Sequence, residues 1–84
     1  MLFPMSTESK PLSLREFFGR NLRLERTRAA LTQEELAAKV GTDQGYISQM
    51  ERGVAWASLE MVERLATALD IKAAVLFDET LGRR

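Results

Sequence analysis

The chain has 84 residues, with 12 basic and 12 acidic side chains, a net charge of zero, and neither Cys nor His. This length supports one small domain, near the lower size at which a core holds without covalent staples. The missing thiols and imidazoles exclude disulfides, thiolate nucleophiles, imidazole bases and nearly every transition-metal site, so no cofactor and no metal is expected.

The longest apolar run, Ala73 to Phe77, is far too short to span a membrane. The opening MLFPM is short and lacks the charged lead-in of a secretory signal. No membrane contact and a cytoplasmic location are therefore expected. Zero net charge argues mildly against a nucleic-acid partner, but its distribution points the other way. Met1 to Ala30 carries six basic and three acidic residues, and Leu31 onward six basic and nine acidic. Such a dipolar chain can present a positive face to phosphates.

Residues 1–12 contain Pro4 and Pro11 among polar, turn-favouring residues and read as a flexible N-terminal arm. Residues 13–78 form the expected domain, and 79–84 a C-terminal tail. A first helix starts after Ser13, with Glu16 as reciprocal partner in a capping box. Leu14, Phe18, Leu22 and Ala29 recur at helical spacing and are expected in the core, with Phe17 and Leu24 partly off the stripe.

Thr32 caps a second helix, again with an acidic partner, Glu35, three residues on. Leu36, Ala37 and Val40 face inward, and Ala37 is small enough for the close crossing of two helices. Gly41 ends that helix, since a tight turn there needs a residue tolerant of positive φ. Asp43 caps a third helix, in which Ile47 and Met50 point to the core and Gln44, Gly45, Ser48 and Gln49 point outward. Two short helices around a glycine turn, the second with a polar outer face, are a helix-turn-helix, whose second helix enters the DNA major groove.

The segments TQEELAAKVG and YISQMERG resemble the helix-turn-helix of the Cro and lambda-repressor-like family, and a looser likeness extends from about Leu14 to Phe77. The resemblance implies an all-α fold, a compact five-helix DNA-binding domain. It also implies roles for particular residues. Gln44, Gly45 and Gln49 match positions that contact base edges, and glutamine can pair bidentately with adenine. Ser48 completes that outward set, as a small contact or a spacer. Arg23, Gln33, Thr42, Tyr46 and Arg52 are the implied phosphate-contacting or supporting residues. Gln33 either supports a base-reading side chain or touches a phosphate, and Tyr46 either donates to a phosphate or packs on the helix pair. Arg26 and Glu51 match a salt bridge between the first and third helices.

The chain departs from the family's pattern in three places. Glu25 stands where an apolar residue is usual, and Ala30 where glycine usually ends the first helix. Val54 to Ala57, with Trp56, replaces a basic, proline-containing phosphate loop. Ser58 then caps a fourth helix with Leu59, Val62, Leu65, Ala66 and Leu69 inward. Ile71 to Phe77 reads as a short fifth helix, too apolar for one core edge. Val75, Leu76 and Phe77 are the expected dimer interface, with Trp56 as the alternative contact.

These features point to a sequence-specific regulator of transcription, a repressor or operon controller, binding double-stranded DNA as a homodimer. Restriction-modification controllers, plasmid and phage repressors and antitoxins all fit. The second reading, an antitoxin-type interaction module, adds a protein partner. No enzyme site is recognisable.

Overall fold

The computed structural model describes residues 12–80. Four α-helices, α1 (Leu14–Arg28), α2 (Gln33–Val40), α3 (Gln44–Glu51) and α4 (Leu59–Leu69), precede a 3-10 turn over Ala73–Phe77. Among the described residues there is no strand. The expected arm, apart from Leu12, and the tail beyond Thr80 lie outside the described residues.

Every α-helix begins at the cap that the sequence indicates. The Ser13 and Thr32 hydroxyls accept from the backbone N–H groups of Glu16 and Glu35, whose carboxylates accept in return from the cap N–H groups. Asp43 accepts from Tyr46 N–H and Ser58 from Met61 N–H. Each cap satisfies donors that a helix start otherwise leaves open, a contribution of about 1 kcal/mol apiece. Gly41 takes the left-handed conformation at φ 78°, and the next N–H returns to the Ala37 carbonyl.

Phe18 and Leu22 of α1, Leu36, Ala37 and Val40 of α2, and Ile47 and Met50 of α3 form one core with the inner face of α4. Several expected core positions are placed differently. Leu59 is 84% exposed and Leu14 about half exposed, because each is the first residue of its helix and projects past the core. Ala29, beyond the last turn of α1, is also exposed. Leu76, expected at a dimer surface, is instead fully buried in its own chain's core. The 3-10 turn presses that side chain inward while Phe77 stays partly exposed.

Two residues of α1 that the sequence reading passed over hold the fold together. Gly19 lies where α1 crosses the end of α3, and a Cβ there would stand 2.2 Å from the Met50 carbonyl oxygen. Only a residue without a side chain permits that approach. Asn21 is fully buried, and its amide nitrogen donates to the carbonyls of Leu76 (3.1 Å) and Asp78 (2.8 Å). It thereby ties the 3-10 turn to α1 in place of the lattice of bonds a longer helix would supply. Glu25, the acidic departure on the core stripe, is buried and paired with Arg28 at 3.0 Å.

Candidate nucleic-acid interface

The outward side of α3 carries Gln44, Gly45 and Gln49, all exposed, with Ser48 half-buried between them. The helix is pinned on its inner side by Ile47 and Met50, each fully buried, so its polar edge has a set orientation. At Gly45 an added Cβ would stand 3.2 Å from the Asp43 carboxylate oxygen that caps α3, a tight contact relieved only by a small shift of that side chain. The backbone does not demand glycine at this position, and its lack of bulk acts outward.

A chain of polar contacts runs from the interior to that edge. Arg26 donates to Glu51 through Nε (2.6 Å) and through a terminal nitrogen (3.1 Å), and its other terminal nitrogen donates to the Leu31 carbonyl (2.8 Å). Glu51 also accepts from Gln33 Nε2 at 3.0 Å, and Gln33 Oε1 accepts from Gln44 Nε2 at 2.6 Å. The ion pair is shielded, with side-chain exposures of 14% for Arg26 and 3% for Glu51. The hydrogen bond to Glu51, opposed by desolvation and aided by Coulomb attraction, holds the Arg26 guanidinium above its ordinary range. Gln33 thus supports Gln44, and both ends of its amide are engaged within the protein.

The remaining implied contacts divide. Arg23 and Arg52 are exposed cations, and Thr42 is half-buried in the turn between α2 and α3. Tyr46 is different, because its hydroxyl donates to the Trp56 carbonyl at 2.7 Å. It therefore ties α3 to the Val54–Ala57 loop, and its proton is not offered to a phosphate. Trp56 is 63% exposed, with the Arg15 guanidinium 4.8 Å from its ring centroid. Trp56, Leu14, Leu59 and Phe77 line one groove of about 160 Å³, floored by Phe18. Trp56 and Phe77, alternatives for an interface in the sequence, lie on the same face. Val75 is half-buried, and Leu76, inside the core, drops out of that surface. No local pattern indicated the Arg15–Trp56 contact, which joins separate elements, whereas the bond of Gln33 to Gln44 matches the supporting alternative that the family resemblance implied for Gln33.

A family model described as helix-turn-helix matches residues 22–76, which include every residue of the polar chain. The chain belongs to the helix-turn-helix family. The chain is 44% identical in sequence to the restriction-modification controller protein C.AhdI from Aeromonas hydrophila, whose crystal structure superposes with a TM-score of 0.73 over 75% of this chain and 91% of that one. Control protein C.BamHI from Bacillus amyloliquefaciens is 33% identical over 69 residues, 81% of this chain and 85% of that protein. A hypothetical transcription factor from Neisseria meningitidis is 38% identical over 60 residues, 71% of this chain. The chain spans 57% of the length of that factor and 42% of an HTH-type regulator of Mycobacterium tuberculosis. The helix-turn-helix is of the Cro and lambda-repressor-like, DNA-binding type. None of the described helices is long and apolar enough to cross a membrane.

Proposed function

We propose that this protein is a sequence-specific regulator of transcription, a repressor or operon controller, that places α3 in the major groove of a palindromic operator as a homodimer. The observation that carries this reading is the exposed amide edge of α3, with Gln44 held in place by Gln33 at 2.6 Å. Gln44 and Gln49 read base edges, with Gly45 and Ser48 giving the backbone close access to the groove wall. Arg23 and Arg52 meet phosphates, while Thr42, Gln33 and Tyr46 hold the reading helix. The likeness to C.AhdI and C.BamHI favours a controller acting on an operon.

Dimerisation follows from what one module can recognise. A single module of this size contacts few base pairs, and two on a palindrome, about 34 Å apart, double the readout. The exposed groove of Trp56, Leu59 and Phe77 is the surface available for self-association. Selection of bound sequences from random duplex DNA, followed by titration at several salt concentrations, tests the reading. A recovered palindrome and a steep fall of affinity with salt are expected. Stoichiometric capture of a protein without DNA affinity would instead indicate the antitoxin-type partner, for which the same groove would serve.

A further inference from the structure

Glu51 is a carboxylate held by Arg26, so both its oxygens can only accept hydrogen bonds. The end of the Gln33 amide that faces it must therefore be the nitrogen, as observed at 3.0 Å. The opposite end of Gln33 is then an oxygen, which requires a donor from Gln44, again as observed. One of the two N–H groups of Gln44 is consumed in this way. Its carbonyl oxygen and a single N–H are left for DNA.

That inventory differs from the one a free glutamine offers. Adenine presents one acceptor and one donor in the major groove, whereas guanine presents two adjacent acceptors. A glutamine with one oxygen and one N–H matches adenine. Matching guanine bidentately would need both N–H groups, one of which is already engaged. We infer that the Arg26–Glu51 ion pair sets the base preference of Gln44, by imposing through Gln33 an amide sense that favours adenine over guanine. The ion pair is thus a positioning device for specificity as well as a brace between α1 and α3. This inference rests on the proposed reading that Gln44 meets a base edge.

Glu51→Gln removes the constraint at its source. An amide at position 51 can donate to Gln33, which turns Gln33 around and frees both N–H groups of Gln44 for the groove. Arg26→Met together with Glu51→Leu removes it differently, since apolar replacement of a shielded pair commonly preserves the fold. The full-length chain and each variant are titrated with duplexes that differ at one base pair, after circular dichroism confirms the fold. Gln44→Ala first identifies that base pair as the one whose preference it abolishes.

At this base pair the unsubstituted protein is expected to favour adenine over guanine by about tenfold or more. The double variant should lower this ratio about two- to tenfold, the worth of one released hydrogen bond. Glu51→Gln should move it further toward guanine. The ratio is taken within each variant, so a general loss of affinity cancels. An adenine-to-guanine ratio unchanged in both variants would overturn the inference. So would an equal relaxation at the base pair governed by Gln49, which lies outside the amide chain. If Gln44→Ala altered preference at no base pair, the reading of Gln44 itself would fail, and the inference with it.

Discussion

The two ends of α1 hold their neighbours by different means. Near its C-terminus, Arg26 reaches Glu51 and, through Gln33, the exposed Gln44, a set of directional bonds each between 2.6 and 3.1 Å. Near its N-terminus, Leu14 and Arg15 share an open groove with Trp56, Leu59 and Phe77, where contact is apolar apart from a cation over a ring. Hydrogen bonds prescribe which atom faces which, and apolar contact prescribes only that surface be covered. The first kind of contact suits reading a sequence. The second suits association, in which a surface left exposed by one chain is covered by another.

The sharpest contrast between core and groove is within two adjacent residues. Leu76→Ala should cost about 3 to 5 kcal/mol in urea unfolding, the range for a fully buried leucine. Phe77→Ala, beside it, should cost about 1 kcal/mol, because its ring already lies partly in solvent. Equal costs would erase the distinction between core and surface along the 3-10 turn.

The glycines of the two regions separate next. Gly19→Ala should cost about 3 kcal/mol, since its Cβ would strike the backbone carbonyl of Met50 and α1 would have to shift off α3. Gly45→Ala should change stability by less than about 1 kcal/mol, because better helix propensity is offset by crowding of the Asp43 cap. A small effect at Gly19 would mean that α1 and α3 are not in the close contact that supports Glu51.

The groove has its own test. Leu59→Asp or Trp56→Ser, both at exposed groove positions, should yield a folded monomer by sedimentation, with circular dichroism as the folding control. Operator affinity should fall at least about tenfold, roughly 1.4 kcal/mol. An unchanged dimer from both would move self-association to another surface. A comparably small effect is expected at Ala30, which has φ 59°. Ala30→Gly should raise stability by about 0.5 to 1 kcal/mol, by relieving a left-handed alanine at the end of α1.

What could be read from the sequence was local. Ser13, Thr32, Asp43 and Ser58 announce helix starts because a cap and its partner lie within three residues of each other. Ile47 and Met50 follow from helical period alone. The Arg26–Glu51 pair came from the family resemblance, and the structure brings the two together at 2.6 Å. Asn21 was not legible, because its carbonyl partners at Leu76 and Asp78 are 55 and 57 residues away and a polar residue on a helix ordinarily faces water. Gly19 carried no turn signal, since its reason is a helix crossing. Leu14 and Leu59 fit the apolar period, but period does not show that the first turn of a helix overhangs the core. Leu76 and Phe77 were inseparable for a related reason, since five residues of a 3-10 turn are too short to display a face.

The central claim, that the exposed amides of α3 read sequence, is tested most directly by competition titration on the selected operator and on unrelated duplex DNA. Gln44→Ala and Gln49→Ala should each weaken operator binding by about 1 to 3 kcal/mol and leave non-specific binding nearly as it was. Arg23→Ala should weaken both duplexes together, because a phosphate contact carries no base information. If all three substitutions weakened the two duplexes in the same proportion, α3 would not be the reading element and the account would be contradicted.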